Sequence, residues 1–574
     1  MKHITLIAAI TGAFAALAAQ PTGQEWQDNQ QLSYGREAVR AAFCSFDSVE
    51  QALKILPEYA PRQVSLDSDS AWKFHWAKDP SERPQDFYKT DFDVSGWDSI
   101  KVPCSWQAYG ANGKGGWGTA LYTNIRYPFA RDIPGGSNVM GEPPKEFTNY
   151  AARNPVGSYR RSFKVPAKWD GQDIFLKFDG VDSFFYLWVN GEYVGFSKDS
   201  RTPAEFNVTA FVKPGAENVV ALEVYRYSDA SYLEDQDMFR LSGIFRRTWL
   251  LARPKERIRD FFITAKPAVA GRYEGVWEMT IDAEGEFETS VYDWDGNLVT
   301  GPFSAKTFPV PNVKPWSAEA PNCYKVVLNN GAECVSSVFG FRVSEIKDGR
   351  YYLNGQKIKL KGANRHETDP MFGHFVPMAR HEQDIRQLKE ANCNAVRNSH
   401  YPQDDYWYYL CDVHGIYLCD EANVETHGYG YGKDSLSHQK SWEKAIVARD
   451  LAMVERNKNH PSVVIWSYGN EAGPGENFAA CEKAIKARDT TRPTHYERDW
   501  SVADMDGCQY PGVAWCWAKA ADKTSKKPFY ISEYAHNMGN AMGNLKDYQD
   551  AIESSDVILG ATIWDWVDRD CIKM

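Results

Sequence analysis

From Ile346 onward the chain repeats one unit: a short apolar run, a polar loop, then a stretch with helical spacing. The runs predict strands at Lys357–Lys361, Ala395–Asn398, Ile416–Asp420, Val463–Tyr468, Thr494–Glu497, Gly507–Tyr510, Phe529–Ser532 and Leu559–Ile563. Helices are predicted between them at His381–Ala391, Asp404–His414, Trp442–Asn457 and Gly475–Ala487. A helix after each strand returns the chain to the edge where that strand began, so the strands must run parallel. Eight such units close into a (β/α)8 barrel. With Trp564 ten residues from the last one, the eighth strand is expected to be present and its covering helix missing. The expectation is a barrel lacking its last helix, with an uncovered strand as an unstable and aggregation-prone flank.

The preceding residues have a different rhythm. From 65 to 253, short strands alternate with Gly, Pro, Asn and Asp, without helices, which predicts a jelly-roll β-sandwich. Asn190-Gly191, between Trp188 and Tyr193, marks a two-residue hairpin. Residues 254–345 continue in strands over a length that suits an immunoglobulin-like β-sandwich. The full division is a signal peptide at 1–19, an N-terminal segment at 20–64, the two sandwiches, and the barrel domain at 346–574, a multidomain β plus α/β chain. Lys2 and His3 precede an apolar run ending in Ala16-Leu17-Ala18, an A-x-A-like cleavage site. That run is too short to anchor the protein in a membrane, so the expectation is export to the periplasm or medium.

Composition excludes some partners. The net charge of −11 argues against a nucleic-acid binder, whose footprint would be a basic domain or stripe. The 20 Trp, 31 Tyr and 29 Phe, 14% of the chain, favour sugar stacking only slightly, because most aromatics are core. The 11 Cys are scattered and lack a CxxC pair, so they read as buried thiols; Cys323 and Cys334 are the one pair to check for a bridge.

A barrel carries its site at the C-terminal ends of its strands. Those ends read Asn364-Arg365-His366-Glu367, Arg397-Asn398-Ser399-His400, Asp420-Glu421 through Glu425-Thr426-His427, Tyr468-Gly469-Asn470-Glu471, Tyr510, Ser532-Glu533-Tyr534-Ala535-His536 and Trp564-Asp565-Trp566. A lone His or Glu there is usually structural, but packing does not call for the whole series. Glu471 and Glu533 each follow an apolar strand. Glycoside hydrolysis needs such a pair, about 5–5.5 Å apart in a retaining enzyme. Repulsion and burial would raise one of the two pKa values, as an acid requires. Glu425 and His427, with Glu471 nearby, can face one hard cation, Mg²⁺ or, given the imidazole, Mn²⁺.

Longer stretches carry a resemblance. Asp199–Phe206, Ser231–Arg246, Asn364–Glu367, Glu425–Gly428, Gly469–Gly473 and Ser532–Asn540 resemble those of bacterial β-galactosidases of glycoside hydrolase family 2, from about residue 65 to the end. The resemblance implies Glu471 as acid/base and Glu533 as nucleophile of a retaining double displacement on terminal β-D-galactosyl residues. It implies Mg²⁺ held by Glu425, His427 and Glu471. It places Tyr510 on the nucleophile and His366, His400 and Asn470 on sugar hydroxyls, with Arg397, His536 and Trp564 completing the pocket. Asp199 would bind the galactosyl 6-hydroxyl and a Na⁺ in an incomplete site, and Asn124 would line that subsite. The expected partner is a β-galactoside oligosaccharide or glycan, without nucleic acid or membrane. An oligomer stays open, and the family's tetramer is not carried over. A truncated galactoside-binding fragment without turnover is the rival, and a metal hydrolase of other substrates would leave Glu533 idle.

Overall fold

The structure is a computed structural model described for residues 20–111, 117–129, 154–537 and 543–568. The signal-peptide residues 1–19 and the Met538-Gly539-Asn540 end of one motif lie outside the described residues. The first sandwich packs a seven-stranded sheet on a four-stranded one. In it, Phe184–Val189 and Glu192–Lys198 form the expected hairpin, with Asn190 and Gly191 both at positive φ (52° and 87°). The second packs sheets of three and five strands. Cys323 and Cys334 are free: Tyr324 pairs Phe339 and Asn329 pairs Cys334, so the two thiols stand at opposite ends of one hairpin.

The N-terminal segment is no separate unit. Ser33–Tyr34 joins the first sandwich, Ser45–Phe46 the second, and Gln63–Ser65 the first again. Gln30 also exchanges hydrogen bonds with Ser441 and Lys444 of the barrel, at 2.7 and 2.8 Å. Short strands on sheet edges depend on partners far away in sequence, so local pattern does not reveal them.

The barrel strands are β1 (Leu360–Arg365), β2 (Ala395–Asn398), β3 (Tyr417–Glu421), β4 (Val463–Ser467), β5 (Thr494–His495), β6 (Asp506–Gln509), β7 (Phe529–Tyr534) and β8 (Ile558–Ile563). They form one eight-stranded sheet in the order β5-β4-β3-β2-β1-β8-β7-β6, and every ladder is parallel. Among the described residues no ladder joins β5 to β6; one backbone bond, Met505 N–H to Thr494 C=O at 3.2 Å, crosses this seam. The outer helices are α1 (Met378–Glu390), α2 (Asp405–His414), α3 (Lys440–Asn457), α4 (Glu476–Arg488), α5 (Val513–Ala521) and α6 (Leu545–Glu553). Helices α5 and α6 are not predicted from the sequence pattern.

The strands form where buried apolar residues run without alternation, as β4 does at Val463-Val464-Ile465-Trp466, all fully buried. Helix α2 starts where the Asp404 side chain accepts the Tyr406 N–H, and ends at Gly415, whose φ of +75° suits glycine. The first strand departs most from expectation, lying three residues later than Lys357. Gln356–Lys357 instead pairs with Arg350–Leu353 around Asn354-Gly355, both at positive φ, so a hairpin claims those residues. Asn364 and Arg365 are therefore strand residues, not loop. The aromatics are mostly structural: one core cluster runs from Trp26 of the N-terminal segment and Tyr186 and Trp188 of the first sandwich to Trp407 and Trp466 of the barrel. No helix among the described residues is long and apolar enough to cross a membrane.

Candidate active site

Glu533 lies in β7 with its carboxylate turned into the barrel mouth. Its Oε1 accepts from Arg397 Nη1 at 2.7 Å and Gln509 Nε2 at 2.8 Å. Its Oε2 accepts from the Tyr510 hydroxyl at 2.7 Å. Three donors, one of them charged, fix its orientation. Tyr510 is held in place by its own N–H, which donates to the Glu533 carbonyl at 2.7 Å. Burial and the adjacent Glu533 push the Tyr510 phenol well above its ordinary pKa, so it stays a donor.

Arg397 is fully buried in β2. Glu421, the last residue of β3, accepts from its Nε and Nη2 at 2.8 and 2.9 Å. The same carboxylate takes His400 Nδ1 at 2.8 Å and the Ser467 hydroxyl at 2.6 Å. Burial opposes its charge, yet Arg397 and His400 hold Glu421 at a pKa of about 2. His400 stacks on Trp564 with centroids 5.0 Å apart, and His366 meets Trp564 edge-on at 5.4 Å. His536 closes the ring of aromatics, 6.4 Å from Trp564 and 5.9 Å from Tyr510.

Glu471 follows β4. Its Oε2 lies 2.7 Å from His427 Nδ1, and its Oε1 accepts from Arg498 Nη2 at 3.2 Å. Asn470 ties this side to Glu533: its Oδ1 accepts from Arg397 and Gln509, and its Nδ2 donates to Glu425 Oε2 at 3.0 Å. Ligating atoms of Glu425, His427 and Glu471 lie within 4.8 Å of one another, while Asp199 stands outside this group. Glu425 Oε1 is buried without a hydrogen bond. Burial, with Glu471 beside it, raises the Glu425 pKa well above the usual range. Glu471 behaves otherwise than expected: burial pushes its pKa up, but His427 and Arg498 outweigh that and leave it lowered. Burial depresses His427, and its contact with Glu471 reverses the sign, so its pKa is raised.

The first sandwich builds part of this rim. Glu425 N–H donates to the Leu233 carbonyl at 2.8 Å, and Asp235 N–H donates back to the Glu425 carbonyl at 3.2 Å. Asp235 Oδ2 accepts the Gly428 N–H at 2.7 Å. Asp199 reaches the rim, where its Oδ1 accepts from Asn423 Nδ2 at 2.8 Å and its Oδ2 from the Thr202 hydroxyl. Asn124 is exposed on the turn after Leu121–Thr123, and the hydrogen bonds of the site do not reach its side chain. The structure thus gathers Glu471, Glu533, Arg397, His400, His366, Asn470, Tyr510, His536 and Trp564 around one mouth, with Asp199 at its edge. Sequence reading assigned no role to Glu421, Gln509 or Arg498. The strand-end position of Glu421 is a signal for it; Gln509 and Arg498 stand beside Tyr510 and Glu497, at the ends of predicted strands.

An eight-stranded parallel barrel whose rim gathers carboxylates, histidines and aromatics, with a sandwich docked on that rim, has the parts that glycoside hydrolysis uses. The chain belongs to glycosyl hydrolases family 2. The family's sugar binding domain matches residues 65–254 and its TIM barrel domain residues 344–574. A β-galactosidase of Priestia megaterium is 38% identical over 588 residues, covering 95% of this chain and 55% of that protein. One of Psychromonas ingrahamii is 36% identical over 581 residues, covering 92% and 54%. The chain therefore spans about half the length of these relatives. A family 2 structure from Bacteroides cellulosilyticus (TM-score 0.64, 24% identity, 88% of this chain and 67% of that one) shares the fold. So does a β-glucuronidase of Ruminococcus gnavus (TM-score 0.73, 18% identity, 89% and 92%).

Proposed function

We propose that the chain hydrolyses terminal, non-reducing β-D-galactosyl residues with retention of configuration. The observation that carries this reading is the three-donor cradle on Glu533, which holds one carboxylate aimed into the barrel mouth. The likeness to β-galactosidases supports the sugar. In the first step Glu471, which must take up its proton against the pull of His427 and Arg498, gives it to the glycosidic oxygen while Glu533 attacks the anomeric carbon; the C–O bond breaks, the aglycone leaves and a galactosyl ester forms. In the second, Glu471 takes a proton from water, whose oxygen attacks the same carbon and returns Glu533 as carboxylate. Arg397 and Tyr510 hold Glu533 throughout. His400, His366, His536 and Trp564 form the wall on which the sugar would lie.

The donor set at Glu425, His427 and Glu471 fits a hard cation, Mg²⁺ or Mn²⁺, because two carboxylates converge there and Glu425 Oε1 is buried without a partner. Bound there, it would supply positive charge offsetting the paired carboxylates. A Na⁺ at Asp199 fits poorly: Arg449 Nη1 already stands 3.6 Å from Asp199 Oδ1, and no step is derived through that ion. Export is proposed on the leader-like residues 1–19 alone.

The test is release of nitrophenol from nitrophenyl β-D-galactoside by the full chain and by Glu533→Gln, with the first-formed sugar anomer read by NMR. Turnover lost in the variant and β-galactose appearing first is the expected result. Equal activity in Glu533→Gln, or α-galactose first, would refute the reading.

A further inference from the structure

The two carboxylates of the site stand on strands that belong to opposite flanks of the open seam. Glu471 follows β4, which pairs β5, and Glu533 is in β7, which pairs β6. Without a ladder between β5 and β6, the backbone does little to fix one flank against the other. Side chains cross the gap instead. Gln509, the last residue of β6, donates from Nε2 to Glu533 Oε1 and to Asn470 Oδ1, both at 2.8 Å. Its Oε1 accepts from Nη2 of Arg498, on the loop after β5, at 3.0 Å. The same Nη2 donates to Glu471 Oε1 at 3.2 Å and to the Tyr431 hydroxyl at 3.0 Å.

The orientation of the Gln509 amide follows from its partners. Turned over, its oxygen would face the Glu533 and Asn470 oxygens, and its NH₂ would face a guanidinium; all three contacts would be repulsive. Arg498 is fixed as well, with its guanidinium 4.2 Å from the centre of the Tyr431 ring and its Nε 2.5 Å from Glu497 Oε1. Tyr431 in turn contacts His427 Nε2 at 2.7 Å. The chain Glu533–Gln509–Arg498–Glu471 is therefore continuous, and each link has only one workable polarity.

We propose that Gln509 and Arg498 act as one pair of positioning residues, a side-chain bridge over the β5/β6 seam that sets the two carboxylates relative to each other. This rests on the two-carboxylate reading above. Neither residue transfers a proton. A carboxylate placed wrongly by a fraction of an ångström loses rate in the chemical steps far more than in substrate binding.

The test is a double-mutant cycle with Gln509→Met, Arg498→Met and the double variant, reading kcat and KM on nitrophenyl β-D-galactoside. Each single change should lower kcat about 10- to 100-fold with KM within about threefold, the loss expected for a hydrogen bond to a charged group. The double variant should be no worse than the poorer single, because either change breaks the same bridge. Multiplied losses, or singles within about twofold of wild type, would overturn the proposal. Glu533→Gln separates this from the underlying reading: wild-type turnover in that variant refutes the reading itself. The bridge is then judged by the crystal structure of Gln509→Met. A Glu533 carboxylate swung off Tyr510 supports it, and an unmoved one refutes it.

Discussion

Glu367→Gln should unlock the first sandwich from the barrel. Arg246 of the sandwich directs its Nε and Nη2 at Glu367 Oε2, 3.0 and 2.5 Å away, with both side chains almost wholly buried. Glu367 Oε1 accepts the Asp404 N–H at 2.8 Å. A glutamine cannot serve both oxygens' partners, because its NH₂ must face either Arg246 or the Asp404 N–H, and each is a donor. Burial pushes the Glu367 pKa up, but Arg246 outweighs it and the value falls from 4.5 to about 2. A folded pKa below the unfolded one means stability that is complete above about pH 4.5 and is lost as pH falls towards 2. The difference between the two values corresponds to about 3 kcal/mol at pH 7, in line with the ~3–5 kcal/mol cost of removing one partner of a buried pair. At pH 3 about 1 kcal/mol remains. Urea unfolding followed by tryptophan fluorescence checks it, comparing midpoints because a three-domain chain need not unfold in one step. The variant's midpoint should fall by about 1 M at pH 7 for a slope of about 3 kcal/mol/M. That gap should shrink to less than half at pH 3. A gap of equal size at both pH values, or none at pH 7, would refute the argument.

Tyr510→Phe removes one of three hydrogen bonds on Glu533 and should lower kcat/KM for nitrophenyl β-galactoside about 10- to 100-fold; an unchanged value would show that Arg397 and Gln509 suffice. Added Mg²⁺ should raise the melting temperature with concentration, and Glu425→Gln should flatten that curve; equal shifts in both proteins would remove Glu425 from the ligand set. Gly362→Ala should abolish soluble expression or melt far below wild type, since its Cβ would stand 1.7 Å from the Ala395 carbonyl oxygen between β1 and β2; normal melting would contradict that close approach.

What the sequence settled was local or directional. Runs such as Val463-Val464-Ile465-Trp466 are apolar on both faces and so report parallel buried strands, and the alternation with helices orders those strands into a barrel. Strand direction then places Glu471 and Glu533 at one end, and the Asn190-Gly191 pair specifies its hairpin by backbone preference alone. Tertiary structure decided what depends on residues distant in sequence. Gln356–Lys357 left β1 because a hairpin partner competed for it. Glu421 became the anchor of Arg397 and His400, and the Glu471 pKa moved down because His427 and Arg498 reached it. Leu233 and Asp235 pinned Glu425 from another domain, and Gln509 met Arg498 across a seam that no local pattern marks. Periodicity records which face of an element is buried; it carries no record of which charged side chain from a remote strand will meet it there. The electrostatics and the aim of this site are set by those meetings.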